Sequence, residues 1–196
     1  MSVKPRNPRG APGKIRIIGG SLRGSRLAVP DVAGLRPTPD RARETVFNWL
    51  APIIVGAECL DLYAGTGAMG IEALSRGAAH CTFVERDRPV VRLLEDNVAR
   101  LKLDTARVVQ ADVDAYLRGT PRAFDVVFLD PPFAGNCWEA AARSLDERGW
   151  LTANAWIHVE MPADARLEFP AAWQLHREAR AGAMRHALYR RFSGPC

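Results

Sequence analysis

The chain has 196 residues, 47% hydrophobic and 25% charged, which fits one globular domain and excludes wholesale disorder. No apolar run approaches the roughly 20 residues of a membrane span, and residues 1–13 lack the apolar core of a secretory signal, so we expect a cytoplasmic protein. The net charge is +5, and residues 1–43 hold 10 basic and 2 acidic side chains, an asymmetry that favours a nucleic-acid partner, with a merely solvated basic surface as the alternative.

Neither the cysteines nor the histidines are spaced as metal ligands or catalytic groups. No C-x-x-C pair occurs, which predicts neither a zinc site nor a disulfide framework for Cys59, Cys81, Cys137 and Cys196. Ligand or triad spacing is also missing from His80, His158, His176 and His186, for which we expect strand or surface roles. The sequence therefore predicts no metal site.

The first predicted element is a hairpin that follows a basic arm. Residues 1–13 are rich in Pro, Gly, Lys, Arg and Asn and predict a flexible segment. Residues 14–18 and 26–29 flank the Gly19-Gly20-Ser21 turn, which predicts two paired strands.

A helix follows the hairpin. Thr38 is a candidate N-cap, and Pro39 suits the first helical position because its fixed φ is already helical. The pattern predicts that this helix continues to about Leu50. Residues 14–52 are therefore interpreted as an N-terminal hairpin-and-helix extension.

Strands and helices alternate through residues 53–196, which we treat as one domain. The predicted strands are 59–63, 80–84, 107–110, 124–129 and 156–160, the helices are 68–76, 88–102 and 138–147, and an antiparallel pair, 173–178 and 187–192, surrounds Ala181-Gly182. Repeated strand–helix units predict an α/β fold with a doubly wound, mostly parallel seven-stranded sheet.

A glycine motif follows the first strand of this domain. Residues 65–70 read G-x-G-x-x-G between a strand and a helix, a position at which nucleotide-type ligands bind in open sheets. Gly65 and Gly67 allow a tight turn and close approach of the backbone to a ligand. Glu85 ends the second strand, where an acid can accept from both hydroxyls of a ribose. These features fit NAD and S-adenosylmethionine almost equally, and a tight turn without a ligand is the alternative.

Two further features favour S-adenosylmethionine. Asp61 lies on the strand before the glycine loop, where a carboxylate repels a pyrophosphate but suits the ammonium group of a methionine moiety. Residues 130–133 read Asp-Pro-Pro-Phe at the end of a buried strand. Asp130 and the carbonyl of Pro131 can accept both hydrogens of an exocyclic amine, and Phe133 offers a face for stacking a flat base. A proline-rich turn without a ligand is the alternative interpretation.

Together the motifs resemble those of class I S-adenosylmethionine-dependent amino-methyltransferases of nucleic acid, which have a Rossmann-like fold. More narrowly, the chain resembles the bacterial 16S ribosomal RNA guanine-966 N2-methyltransferase family in the segments Arg16–Gly20, Leu35–Thr38, Asp40–Trp49 and Leu74–Ala78. The likeness runs from about Lys14 to Phe192. It implies a cytoplasmic, monomeric enzyme that methylates N2 of guanine 966 in 16S rRNA, naked or in the small ribosomal subunit, and an RNA-facing N-terminal extension.

The resemblance also implies roles for the matching residues. The methionine end of the cofactor would contact Asp61, Tyr63, Ala64, Gly65, Thr66, Gly67 and Gly70. The ribose would contact Glu85, with Arg86 beside it, and the adenine would contact Asp112 and Val113. The target guanine would contact Asp130, Pro131, Pro132 and Phe133. RNA phosphates would contact Arg16, Arg23, Arg26, Arg36, Arg41 and Arg43, with a cofactor contact as the alternative for Thr38 and Arg41.

Three other functions stay open at this point. A DNA adenine N6-methyltransferase would share the Asp-Pro-Pro-Phe motif. A dinucleotide-dependent oxidoreductase would explain the glycine loop but neither residues 130–133 nor the basic N-terminal region. A non-catalytic RNA-binding module would share the basic extension but leave the predicted pocket empty.

Overall fold

The N-terminal extension is a hairpin followed by a helix, as predicted. We describe residues 14–29, 39–132 and 137–192 of a computed structural model; the predicted arm, residues 1–13, lies outside them. Strand β1 (Lys14–Arg16) pairs antiparallel with β2 (Arg26–Ala28), and α1 (Asp40–Leu50) follows. Ile15 and Leu27 form the central, buried pair of the hairpin, because their side chains are the apolar ones on the protein-facing side.

The start of α1 differs from the prediction by one residue. Pro39 has φ −54° and ψ 143°, so it is extended and occupies the N-cap, not the first helical position. Its carbonyl accepts hydrogen bonds from the N–H groups of Ala42 and Arg43. Thr38, the predicted N-cap, lies outside the described residues.

The larger domain is built on the predicted seven-stranded, mostly parallel sheet. Its elements are β3 (Glu58–Leu62), α2 (Ala68–Ser75), β4 (His80–Glu85), α3 (Arg88–Arg100), β5 (Ala106–Gln110), α4 (Val113–Leu117), β6 (Phe124–Leu129), α5 (Cys137–Glu147), β7 (Leu151–Pro162), β8 (Trp173–Ala181) and β9 (Met184–Arg191). The strand order is β5-β4-β3-β6-β7-β9-β8, and only the β7–β9 and β9–β8 pairs are antiparallel. The predicted fold class is confirmed.

Helices cover both faces of the sheet. The hairpin, α1, α2 and α3 pack on one face, and α4 and α5 pack on the other. Leu60 and Leu62 of β3 face α4 and α5, whereas Cys59 faces α2. Continuous burial of β3 and β6 is what a central parallel strand needs, because both of its faces are covered. No described helix has the length and apolar character needed to cross a bilayer.

The observed bounds of several strands differ from the predicted ones, and one helix was missed. Tyr63 was predicted to end the first strand of the domain, but its φ of 60° excludes it from β3, which ends at Leu62. Helix α4 was not predicted; it has five residues, too few for a helical period to stand out. Strand β7 is longer than its prediction because Leu151 pairs with Phe124 and Pro162 pairs with Met184.

Candidate active site at the carboxyl edge of the sheet

The strand order reverses direction between β3 and β6. Strands β3, β4 and β5 follow one another toward one edge, whereas β6 and β7 continue toward the other. In open α/β sheets, ligands bind outside the carboxyl ends of the strands at such a point. The glycine loop follows β3, and Asp130 follows β6, so the fold brings the two predicted motifs together.

The glycine loop is the tight turn that its motif predicts. Tyr63, Gly65 and Gly67 have φ values of 60°, 52° and 75°. The N–H of Ala64 donates to the carbonyl of Val84 over 3.0 Å, and the N–H of Gly67 donates to the carbonyl of Ala64 over 2.7 Å. These bonds fasten the loop to β4 and place Gly67 at the N-cap of α2.

The missing side chains of Gly67 and Gly70 make room for the protein core. A Cβ on Gly67 would overlap Leu94 of α3, and a Cβ on Gly70 would overlap Phe83 and Cys81 of β4. These glycines let α2 lie close to β4 and α3, so the cofactor contact predicted for them can involve only their main chain. Thr66 and Ala64 are also buried.

Asp61 is a buried carboxyl group at the start of this loop. It is 3% exposed, and its Oδ2 accepts a hydrogen bond of 2.9 Å from the N–H of Gly70 in the first turn of α2. Burial raises the pKa of Asp61 to about 8; the charge of Glu85 adds to the rise, and the hydrogen bond from Gly70 opposes it. An ammonium group beside Asp61 would favour its ionised form. The environment of Asp61 therefore fits a cationic ligand group.

Glu85, the last residue of β4, is oriented by main-chain donors on two sides. Its Oε2 accepts from the N–H of Gly65 over 3.0 Å, and its Oε1 accepts from the N–H of Asp87 over 2.9 Å. Each carboxylate oxygen can accept a second hydrogen bond, so the pair fits two neighbouring hydroxyl groups. Arg86 follows Glu85 and is exposed.

Asp112, which was predicted to contact the adenine, caps helix α4. Its Oδ1 accepts from the N–H groups of Asp114 and Ala115 at 3.0 and 3.3 Å and so caps α4. Val113 is 4% exposed and lies in the core against that face of the sheet. The cap holds Asp112 next to the end of β5, on the same edge as Glu85.

Asp130 and the prolines follow the last residue of β6. Pro131 is buried and Pro132 is exposed; Phe133, the predicted stacking residue, lies outside the described residues. Burial raises the pKa of Asp130 well above its usual range, and the charges of Glu160 and Asp61 act in the same direction. Among the described residues, no cluster of three or more His, Cys, Asp or Glu side chains is arranged to hold a metal ion.

The predicted RNA-contacting arginines differ in exposure. Arg23, Arg26 and Arg41 are exposed, and the Arg16 side chain is 63% exposed, 3.7 Å from Asp40. Arg36 lies outside the described residues.

Arg43 has a different environment. It is fully buried, and its Nη2 donates to the carbonyl of Arg16 over 2.6 Å and to Asp40 over 2.9 Å. We leave it out of the candidate RNA surface, because a phosphate cannot reach a guanidinium with no exposed area.

A buried glutamate that the sequence analysis missed joins the extension to α2. Glu72 has no exposed area; its Oε2 accepts from the N–H of Ile18 and its Oε1 from the N–H of Gly19, both over 2.8 Å. Arg76 donates to the same Oε1 over 2.8 Å. The only signal in the sequence was a glutamate within an otherwise apolar helix. Through Glu72 the basic hairpin is fixed to the helix that begins at the glycine loop.

A second polar contact fixes strand β2 of the hairpin to α3. Asn97 accepts from the N–H of Ala28 over 3.3 Å and donates to its carbonyl over 3.4 Å. Arg100 donates to the carbonyl of Arg26 over 2.6 Å. The segment that follows β1 and strand β2 are therefore held by polar side chains of the larger domain, while the Arg23 and Arg26 side chains stay exposed.

Comparison with known proteins identifies the family. The family model Cons_hypoth95, "conserved hypothetical protein 95", matches residues 15–190. The chain is 51% identical over 182 residues to ribosomal RNA small subunit methyltransferase D of Escherichia coli K12, with 91% of each protein covered. The chain belongs to this family. A relative of the same name from Haemophilus influenzae is 45% identical over 183 residues, which cover 91% of this chain and 95% of that protein. The resemblance indicated by the motifs is thus confirmed.

Solved structures agree with this membership. The structure of yhhF from Escherichia coli superposes with a TM-score of 0.86 at 46% identity and covers 93% of this chain and 100% of that one. An RNA methyltransferase from Salinibacter ruber, solved in complex with S-adenosyl-L-homocysteine, matches with a TM-score of 0.64 at 17% identity, over 82% of this chain and 97% of that one. At that identity the second match shows the shared fold alone, which is that of the class I methyltransferases.

Proposed function

We propose that this protein transfers the methyl group of S-adenosylmethionine to the exocyclic N2 of guanine 966 in the 16S rRNA of the small ribosomal subunit. One observation carries the proposal: in a family of small-subunit rRNA methyltransferases, the glycine loop and Asp130 meet at the reversal of strand order. An oxidoreductase would leave the second of these motifs without a role.

The residues of the glycine loop and its neighbours fit S-adenosylmethionine. Asp61, buried with a pKa of about 8, would hold the ammonium of the methionine part. Glu85 would accept from the ribose hydroxyls, and Asp112 would accept from the adenine amine. Tyr63, Ala64, Gly65, Thr66, Gly67, Gly70, Arg86 and Val113 would complete the contacts. When bound, the cofactor supplies an electrophilic methyl group on a positively charged sulfur.

The residues after β6 would orient the target guanine. An exocyclic amine is a weak nucleophile because its lone pair is delocalised into the ring. Asp130 and the Pro131 carbonyl would accept its two hydrogens and aim the lone pair at the methyl group. The Asp130 carboxylate would also take the proton that the nitrogen loses once it carries the methyl group. Pro132 would stiffen the turn, and Phe133 would stack on the base.

RNA would be held along the N-terminal extension. Arg16, Arg23, Arg26 and Arg41 supply exposed positive charge on elements that are fastened to α1, α2 and α3, and Arg36 would extend this surface. The target base has to leave its stack to reach the pocket, which favours a loop nucleotide over a paired one. We propose a monomer that acts in the cytoplasm on 16S rRNA or the small subunit.

Nucleoside analysis tests the proposal directly. The purified protein is incubated with labelled S-adenosylmethionine and small-subunit rRNA, naked or in subunits, from a strain that lacks this gene. Mass spectrometry should find N2-methylguanosine at a single position equivalent to 966. N6-methyladenosine in a DNA control, without methylated guanine in RNA, would contradict the proposal and favour the adenine-specific alternative.

A further inference from the structure

Three adjacent strands place a row of buried titratable groups beside Asp130. In the parallel β6–β7 pair, Leu129 lies opposite Val159. Asp130 and Glu160 are the next residues of the two segments, and the charge of Glu160 raises the pKa of Asp130, as burial does. In the antiparallel β7–β9 pair, Glu160 lies opposite His186. Residues opposite one another in a sheet carry their side chains on the same face, so Asp130, Glu160 and His186 form one row.

Glu160, His186 and His158 are close together and shielded from water. Glu160 and His186 are 7% and 2% exposed, and Glu160 Oε2 lies 3.7 Å from His186 Nδ1. His158, 1% exposed, stacks on His186 with ring centroids 5.6 Å apart, and its Nε2 lies 3.4 Å from His186 Nδ1. Three buried titratable groups therefore lie beside the half-buried Asp130, and the proposed reaction uses only Asp130.

The charges in this row oppose the ionisation of Asp130. Two neighbouring carboxyl groups in a water-poor site cannot both be ionised at little cost, so they tend to share a proton. Burial and the charge of Glu160 raise the pKa of Asp130, and Asp61 of β3 adds a smaller effect of the same sign. Glu160 thus acts on the group that would accept one hydrogen of the target amine.

The surroundings affect the pKa values of His158 and His186 differently. Burial lowers the pKa of His158 to about 3, so it stays neutral and serves as a hydrogen-bond partner. Burial lowers the pKa of His186, while the charge of Glu160 raises it. From the helical layer above, α1 presents Phe47 to Phe128, and the buried Arg43 of α1 is paired with Asp40. Among the described residues, the charges that bear on Asp130 are thus those of Glu160 and Asp61, while His186 faces Glu160.

We propose that Glu160, paired with His186, is a positioning residue that sets how readily Asp130 gives up its proton, and thereby sets the lower pH limit of methyl transfer. The inference rests on the proposed function. A protonated Asp130 donates a hydrogen bond through its O–H. It cannot take the proton that the amine nitrogen loses after methylation. Activity should therefore rise with pH as Asp130 ionises, and the charge of Glu160 places that rise at higher pH than an isolated aspartate would.

The pH dependence of kcat with Glu160→Gln tests this role. The variant keeps the shape and loses the charge, so the acid limb should move to lower pH by about 1–3 units, the effect of one nearby charge. Activity at acid pH relative to that at pH 8 then rises, a gain that no loss of structural support would produce. Glu160→Asp keeps the charge and should keep the wild-type limb. Glu178→Gln removes an exposed charge from β8 and is the matched control. An acid limb that stays in place in Glu160→Gln overturns the proposal.

Carboxyl ¹³C NMR of the unmodified protein tests the effect of Glu160 on Asp130 without a variant. Asp130 should ionise at a higher pH than an unperturbed aspartate, whose pKa is about 3.9, and ionisation of Asp130 in that ordinary range would overturn the inference. Failure of the proposed function gives a different pattern. If the raised pKa of Asp130 is observed but no rRNA guanine is methylated, the effect of Glu160 on Asp130 stands and the function is wrong. If guanine is methylated and the acid limb of the pH profile is unchanged in Glu160→Gln, the function stands and the inference is wrong.

Discussion

Gly20 lies against the main chain of Ser75 so closely that a Cβ on Gly20 would overlap the Ser75 carbonyl group. The carbonyl of Ser75 accepts from the N–H of Ser21 over 2.7 Å, and the Ser75 hydroxyl accepts from the N–H of Leu22 over 2.9 Å. The turn of the hairpin is thus bound to the last residue of α2. The glycine loop lies at the other end of the same helix. The position of the basic hairpin depends on a residue with no side chain.

Gly20→Ala should therefore destabilise the protein more than the same change at a second glycine of the turn. Gly20 and Gly24 have φ values of 74° and 87°, and a left-handed alanine costs about 1–2 kcal/mol at either position. A Cβ on Gly24 has no atom within 4 Å, whereas the overlap at Gly20 should add about 1–3 kcal/mol. Urea unfolding of both variants measures the difference. Equal losses of unfolding free energy would show that the contact with Ser75 contributes nothing.

Arg41 and Arg43 lie two positions apart on α1 and should behave in opposite ways. Arg43→Ala removes a buried guanidinium that donates to the carbonyl of Arg16, so we expect a loss of unfolding free energy of about 1.5–3 kcal/mol, plus the cost of the cavity. Arg41→Ala removes an exposed side chain and should change stability by about 0.5 kcal/mol or less while weakening RNA binding. Thermal unfolding and RNA titration of both variants check the contrast. A stable Arg43→Ala protein with weakened RNA binding would return Arg43 to the RNA surface.

How far the sequence predicts these roles depends on whether the signal is local. Arg43 occupies the same helical face as Val46, Phe47 and Leu50, so the 3.6-residue period of α1 already indicated a buried position. The assignment to RNA came from charge alone and ignored that period. Glu160 and His158 likewise lie two positions apart on β7, so the alternation of a strand places both side chains on one face. What the sequence did not indicate is that His186, 26 positions further along the chain, lies opposite Glu160.

For the glycine loop, the sequence predicted the local conformation but not the packing around it. Its position between a strand and a helix and its tight turn follow from local sequence, and both predictions are confirmed. The sequence did not indicate that the space at Gly67 is taken by Leu94 and the space at Gly70 by Phe83. Those contacts join residues that are far apart in the chain, so only the packed sheet and helices reveal why the glycines are needed.

The charge of the hairpin should appear in the salt dependence of RNA binding. Arg23→Ala with Arg26→Ala removes two exposed charges, and the slope of log K against log salt should fall by about 0.7–0.9 for each phosphate that these arginines neutralise. Affinity for S-adenosylmethionine should stay the same. The matched control, Arg118→Ala with Arg143→Ala, removes two exposed arginines from the end of α4 and from α5, on the other face of the sheet. If both double variants have the wild-type slope, the hairpin arginines are only a solvated surface.

Glu85→Ala should weaken cofactor binding by about 1.5–3 kcal/mol, the value of hydrogen bonds to a charged group. Because Glu85 also accepts from the N–H of Gly65, the variant loosens the glycine loop as well as removing the acceptor for the ribose. Glu85→Gln retains an acceptor for one of these donors and should bind the cofactor more tightly than Glu85→Ala. Calorimetric titration with S-adenosylmethionine measures both. An unchanged dissociation constant in Glu85→Ala would exclude the ribose role.

The most discriminating prediction concerns Asp130. Asp130→Ala removes an acceptor for the target amine but leaves the glycine loop, which is fastened to β4 and α2, untouched. Cofactor affinity should therefore change little, while turnover falls by about 10²–10³, the effect of removing one preorganised polar group from an active site. Removing a carboxyl with a raised pKa should also leave the unfolding free energy unchanged or higher at neutral pH, because the folded state no longer has to desolvate this group or hold it beside Glu160. Calorimetry, unfolding and steady-state methylation separate these effects.

Asp130→Asn refines the same test. It keeps one oxygen acceptor and the shape of the side chain but cannot take a proton from the amine. Partial activity with a flat acid limb would show that Asp130 acts mainly by orienting the amine, and activity as low as that of Asp130→Ala would show that its charge is essential. If both variants were fully active with normal stability, Asp130 would have no part in the reaction. The carbonyl of Pro131, which follows β6 and lies two strands from His186, would then have to orient the guanine without Asp130.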